Sequence, residues 1–386
     1  MTDTPLFMSR RFFLGAGASL ALLGSPLFST PAAAKAPKRN LVVIMLRGGM
    51  DGLTAVPARD PQMNKSRPDI SVEGVRELTS DFTLHPELKH FHNLWQRDKA
   101  AVVHATSIPY TGRSHFDGQN LMESGGHTPY AEKTGWLGRG LEAAGLEGLS
   151  ATLPIPLLLR AGINPDNYFP TYWSPPRQDT MRMLLESYEN EPLLKQTMAK
   201  IIQRPAAMLQ EQGGGRKAPE LAKTAARELA REDGPRVAVF DIGGFDTHAA
   251  QGGADGEHGA KLQMVDKVIE RLDSGMGEAF DNTLVVTLTE FGRTLDQNGG
   301  YGTEHGYGTA ILMAGGLVKK AQIHADWPGL KSRDLFEKRD LNATIDARAI
   351  YASAMAACFD QDFEKMRRDV FWGEAMPDLT TTLFKV

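Results

Sequence analysis

Uninterrupted apolar runs of strand length punctuate the chain at Asn40–Leu46, Ala100–Ala105, Arg236–Asp241, Thr283–Thr289 and Thr309–Ala314. Continuous rather than alternating hydrophobicity predicts strands buried on both faces. Leu153–Leu159 is a weaker candidate, because Pro154 and Pro156 reduce it to an edge strand or a loop. Between these runs the apolar spacing becomes helical. Leu88, Phe91, Leu94 and Trp95 share one face within residues 85–97, as do Leu262, Val265, Val268, Ile269 and Leu272 further on. A further helix is predicted to close the fold over 344–368. Alternating strands and helices predict an α/β fold with a mostly parallel, doubly wound sheet and helices on both faces. Residues 176–234 read differently: they are polar and helical, broken at Gly213–Gly215, and suggest a helical insertion or a layer covering the sheet.

The polar residues just past the strands carry the chemistry. The first strand runs into Asp51, the second into Arg113, Ser114 and His115, the third into Asp246 and His248, and the fourth into Glu290 and Arg293. The glycine-rich loop before the fifth strand carries Glu304 and His305. In an open α/β sheet, ligands bind at the carboxyl ends of the strands, so residues distant in sequence can meet on one rim. Asp51, Asp246, His248, Glu290 and His305 form a donor set of oxygens and imidazoles without thiolates. Such a set suits one or two divalent ions, with Zn²⁺ or Mn²⁺ favoured over Mg²⁺. Each residue also has a structural reading. Asp51 after two glycines can cap a turn or helix, Ser114 can cap the helix that follows it, and Glu290 can pair with Arg293. Capping does not prevent Ser114 from acting as a nucleophile, since a helix N-terminus offers a positive dipole and free N–H groups. Arg113 and Arg293 have the fork shape that holds phosphate or sulfate oxygens, and His115 is a candidate proton donor or an orienting group.

Composition narrows the setting. Of 386 residues, 41% are hydrophobic and 23% charged, with a net charge of −4, so wholesale disorder is not expected and nothing points to nucleic acid as a partner. The single cysteine, Cys358, excludes an internal disulfide and reads as buried helix packing. Arg10–Arg11 precede an uncharged stretch rich in Gly, Ala and Ser, and Ala32–Ala34 supply small residues for cleavage. Residues 1–34 therefore read as a twin-arginine signal peptide, handled by the twin-arginine translocase, with residues 40–386 as a single mature domain. This predicts a periplasmic or extracellular protein with no stable membrane span.

Several motifs together are more specific. Leu46–Gly52, Gly112–Asp117, Gly135–Arg139, Asp241–His248, Thr289–Thr294, Gly302–Gly306 and Asp326–Leu330 occur in the order found in domain-of-unknown-function family 1501, which the chain resembles over nearly its whole mature length. That family resembles the alkaline phosphatase and sulfatase superfamily. The resemblance implies an alkaline-phosphatase-like fold, a metal carboxylate at Asp51, a hydroxyl nucleophile at Ser114, and an Asp246/His248 pair for one metal. It further implies ligands at Glu290 and His305. Phe291 stands where the superfamily pattern has a histidine ligand, and Asp246 and His248 are closer together than is usual. The expected activity is hydrolysis of phosphate or sulfate esters, with an anionic ester or an envelope polymer as partner. The alternative is a non-catalytic envelope binding protein that retains the fold.

Overall fold

The computed structural model describes residues 38–162, 165–169, 177–203 and 216–386. The expected signal peptide, residues 1–34, and the Gly213–Gly215 break lie outside them. The strands are β1 (Asn40–Arg47), β2 (Arg76–Glu77), β3 (Thr83–Leu84), β4 (Ala100–Ser107), β5 (Gly148–Ser150), β6 (Asp166–Asn167), β7 (Val237–Gly243), β8 (Thr283–Leu288), β9 (Thr309–Ala314), β10 (Ile323–His324) and β11 (Ile345–Asp346). The main sheet has the order β10-β4-β9-β8-β1-β7-β5-β6, with β11 also pairing β4, while β2 and β3 form a separate hairpin. All five apolar runs form strands of this sheet.

Strand residues alternate between two cores. Leu41, Val43, Met45, Val237, Val239, Leu284 and Val286 face one side, with the helix Ala347–Phe359. Val42, Ile44, Leu46, Ala238, Phe240 and Val285 face the other, with the helices Ala218–Ala230 and Glu257–Met276. Period-2 alternation with both faces apolar is what a doubly wound sheet requires. Ala218–Ala230 thus belongs to the sheet-covering layer, whereas Gln178–Ser187 and Pro192–Gln203 supply the other described helices of the 176–234 stretch. Cys358 is fully buried in its helix, as its surroundings suggested.

Some elements depart from the sequence reading. Leu153–Leu159 forms no strand; its end is a 3-10 turn at Leu157–Leu159, since two prolines remove backbone donors that a ladder needs. The strands in that region are the very short β5 and β6. The closing helix is two helices, Ala347–Phe359 and Phe363–Val370, parted at Asp360 in a left-handed conformation (φ 54). The most consequential departure is β9, which pairs antiparallel with both β4 and β8, while β1 pairs parallel with β7 and β8. Residues 289–308 therefore leave the sheet and return to it at the same rim. His85, His90 and His92 bond to the Gly253 carbonyl, Asp273 and the Glu77 carbonyl, and among the described residues none of them joins the close group of metal-capable donors.

Candidate metal centre

The loop after β1 brings the first strand against the loop after β7. Gly48 adopts φ 117, and a Cβ there would lie 2.3 Å from the backbone nitrogen of Asp246, so this approach requires glycine. Asp246 sits at the mouth of the rim with its side chain 41% exposed. Three imidazoles surround it. His305 Nε2 and His248 Nε2 each lie 3.0 Å from Asp246 Oδ1, and His115 Nε2 lies 3.2 Å from Oδ2. His248 Nε2 and His305 Nε2 are themselves 3.0 Å apart.

Each imidazole is anchored through its other nitrogen. His115 Nδ1 meets Glu290 Oε1 at 2.9 Å, His305 Nδ1 meets the Arg113 carbonyl at 2.8 Å, and His248 Nδ1 meets Glu304 Oε2 at 2.8 Å. Oxygen acceptors at Nδ1 assign the proton there and leave lone pairs on Nε2 in the neutral ring. In that tautomer the lone pairs of His248 and His305 face each other beside a carboxylate, a repulsion that either a proton on one Nε2 or a shared metal ion relieves. His115 Nε2 is buried and makes no hydrogen bond despite its nearness to Asp246. Among the described residues, the ligand atoms of His115, Asp246 and His305 form the one group of three or more within 4.8 Å of one another. Bonds of about 2.0–2.1 Å from a tetrahedral Zn²⁺ place neighbouring donors roughly 3.3 Å apart. The spacing and the nitrogen-rich chemistry of the donors both fit such an ion.

The electrostatics follow from the same contacts. Burial works upward on the Asp246 carboxyl, but the hydrogen bond from Arg293 and, in their protonated forms, His305 and His115 hold it down to about 2. The hydrogen bond to Glu290 raises the His115 pKa against the effect of burial, whereas burial lowers that of His305. Glu290 is itself fully buried and accepts from Gly48 N at 2.8 Å and Gln119 Nε2 at 2.9 Å as well as from His115. Burial disfavours its charge, yet these hydrogen bonds keep its carboxyl below the ordinary value.

Of the residues singled out in sequence, the fold thus brings together His115, Asp246, His248 and His305. Glu290 stands behind His115 rather than beside Asp246. Asp51 lies elsewhere: fully buried, it caps the short helix Gly52–Ala55 and pairs with Arg67 Nη1 at 2.7 Å, while Gln251 Nε2 donates to it at 2.7 Å. Its carboxylate is saturated, so the capping reading accounts for it. Arg293 is buried and turned onto Asp246 at 2.8 Å, and Arg113 pairs with Asp340 at 2.7 Å and with Glu337 at 2.6 Å, so both guanidiniums are engaged by carboxylates. Arg113 has φ 57, and the same residue turns its carbonyl to His305. Ser114 caps the helix His115–Ser124, accepting weakly from Asp117 N at 3.5 Å, directly before His115. Phe291 is buried with its ring 4.9 Å from those of both His115 and His305, forming an apolar wall. Sequence reasoning missed Arg67, Gln251 and the anchoring role of Glu304; only the adjacency of Glu304 to His305 was a signal.

A family described as "Protein of unknown function (DUF1501)" matches residues 168–364. Among solved structures, the soluble domain of lipooligosaccharide phosphoethanolamine transferase A from Neisseria meningitidis is 12% identical over 91% of this chain and 95% of its own, with a TM-score of 0.41. Ps i-CgsB is 12% identical over 89% of this chain and 76% of its own, with a TM-score of 0.43. The C-terminal periplasmic domain of EcEptC from Escherichia coli, in complex with Zn, is 11% identical over 72% of this chain and 73% of its own, with a TM-score of 0.34. No curated protein matches the chain.

Proposed function

For this chain, which belongs to the DUF1501 family of proteins of unknown function, we propose an exported, metal-dependent hydrolase of phosphate or sulfate esters. The observation that carries the reading is the convergence of three Nδ1-anchored imidazoles on the Asp246 carboxylate. His115, Asp246 and His305 would hold one divalent ion, with His248 as a fourth donor. When bound, that ion would supply Lewis acidity toward the ester oxygens and lower the pKa of a coordinated hydroxyl.

The chain's own residues do the rest. Glu290 and the Arg113 carbonyl hold His115 and His305 in the tautomer that offers Nε2. Arg293 fixes Asp246. Ser114, at a helix N-terminus next to His115, is the proposed nucleophile: its Oγ would bond to phosphorus or sulfur as the bond to the leaving alcohol oxygen breaks, the Oγ proton passing to that oxygen, and water would then cleave the seryl ester to free phosphate or sulfate and restore the hydroxyl. Relative to the sequence reading, His115 and Glu290 exchange parts, the imidazole becoming the donor and the carboxylate its support. Asp51 would serve folding rather than the ion. The export reading rests on the sequence of residues 1–34, and no helix among the described residues is long and apolar enough to cross a membrane.

The test is metal analysis of protein purified without chelator, followed by a panel of aryl phosphates and sulfates with added Zn²⁺ or Mn²⁺. One ion per chain and ester hydrolysis abolished by Ser114→Ala are expected. A metal-free, inactive but folded protein would sink the proposal. A bound ion without turnover would instead favour the non-catalytic binding protein, the reading supported by the buried Phe291 wall, which adds no donor.

A further inference from the structure

Gln251 follows His248 by three residues and has no exposed surface. A side-chain amide has two donor and two acceptor positions, and here all four are filled. Nε2 donates to Asp51 Oδ2 at 2.7 Å and to Thr54 Oγ1 at 3.2 Å. Oε1 accepts from Thr247 Oγ1 at 2.9 Å and from Thr303 Oγ1 at 2.6 Å. The Asp51 carboxylate, paired with Arg67, can only accept, so the amino group faces Asp51 and the carbonyl faces the two threonines.

The two hydroxyls belong to the segments that carry the imidazole cluster. Thr247 lies between Asp246 and His248, and Thr303 lies two residues before His305. Both threonines are buried, so an unmade hydrogen bond at either would carry the full desolvation penalty. Thr303 gives its proton to Gln251, which leaves its oxygen free to accept from Arg293 Nε at 3.1 Å. The Thr303 carbonyl accepts from Arg293 Nη2 as well. Arg293 Nη1 donates in turn to Asp246 Oδ1 at 2.8 Å. One buried amide therefore bonds to both segments and, through a single hydroxyl, to the guanidinium that fixes Asp246.

We propose that Gln251 is a positioning residue of the metal centre. Its carbonyl clips the Asp246–His248 segment to the segment leading into His305 and, through Thr303, holds Arg293 in line with Asp246. The inference rests on the metal reading above. Asp51 is only the far anchor of the amide; the two threonine bonds, not Asp51, reach the donors.

The experiment measures Zn²⁺ affinity, by competition against a chelator, in Gln251→Met, Thr303→Val, the double variant and Thr303→Ser. Methionine keeps the length of glutamine, and valine the shape of threonine, without the hydrogen bonds. Each of the first two changes should weaken Zn²⁺ binding about tenfold, the low end of what loss of a ligand's hydrogen-bonded support costs. The double variant should fall well short of the roughly hundredfold loss that two independent defects would give, because both changes break one chain. Thr303→Ser, which keeps the hydroxyl, should recover the affinity that Thr303→Val loses. Unchanged affinity in the single variants, additive losses in the double one, or a serine variant no better than the valine one would overturn the proposal. If Gln251→Met fails to fold, the two Thr303 variants decide the matter. If the wild type binds no Zn²⁺, the metal reading fails separately. Positioning is then judged by the ring-carbon resonances of His248 and His305 in histidine-labelled protein at one pH. Shifts in Gln251→Met and Thr303→Val that Thr303→Ser reverses support it, and unshifted resonances overturn it.

Discussion

Glu290, with no exposed surface, holds Nδ1 of His115 at 2.9 Å and thereby turns Nε2 toward Asp246. A carboxylate behind a histidine raises the basicity of the ligating nitrogen and fixes its direction. Glu290→Gln should leave the fold intact and weaken metal affinity about 10–100-fold, read by competition against a chromogenic chelator. Unaltered affinity would show that His115 is not a ligand, or that its orientation does not depend on Glu290.

Asp246 and Asp51 should separate cleanly. Asp246→Ala or His305→Ala should abolish metal binding, as measured by elemental analysis, with modest effects on unfolding. Asp51→Ala should retain the ion but strand the buried Arg67 guanidinium, costing on the order of 3–5 kcal/mol in denaturant unfolding. Metal lost from the Asp51 variant while it remains folded would restore Asp51 to the site.

Ser114 has two separable contributions. As a helix cap, its replacement by alanine should cost about 1 kcal/mol of stability, a small amount given the 3.5 Å cap contact. As a nucleophile, the same change should abolish ester hydrolysis while the bound ion persists. Hydrolysis retained in Ser114→Ala would point to direct attack by water.

Acid should destabilise the protein in two stages. Burial pushes His104 down to about 4, opposed by its bond to the Val56 carbonyl and by the charge of Asp51. The folded state thus keeps His104 neutral while the unfolded chain takes up a proton below about 6.5, so its share of stability is full above that value and is lost as pH falls to about 4. The shift corresponds to at most about 3 kcal/mol. Asp51, held down to about 2 in spite of its burial, acts lower: its contribution of about 2 kcal/mol is present above about 3.8 and disappears as pH falls through about 2. Urea unfolding between pH 7 and 4 should show falling stability in the wild type and a flatter dependence in His104→Gln. Parallel slopes would refute the assignment to His104.

The parts of this fold legible in the sequence are those whose burial is two-sided. β1, β4, β7, β8 and β9 announce themselves as unbroken apolar runs because each contributes to both cores. β5, β6, β10 and β11, of two or three residues each, carry no periodic signal. Strand direction was also hidden, since an apolar run reads the same whether the strand lies parallel or antiparallel. The candidate site was legible as a set of rim residues but not as a distribution of tasks. Which of His115 and Glu290 faces Asp246 depends on helix phase and on the path of the 289–308 loop. The saturation of Asp51 depends on Arg67 and on Gln251, a residue two hundred positions away. Adjacent or matching motifs do not encode such distant partners.

The reversal of β9 has a consequence for how this site could diversify. Because residues 289–308 begin and end on one rim, with Gly292 N bonded to Tyr307 O and Asn298 N to Gly302 O, they form a tongue; its tip exposes the Tyr301 side chain, while the Gly300 and Tyr301 carbonyls accept from Ala250 N and Gln251 N. Selection could therefore vary the exposed side chain at Tyr301 beside the cluster, leaving the backbone bonds to Ala250 and Gln251 intact and His305 and Glu290, near the ends of the tongue, in place.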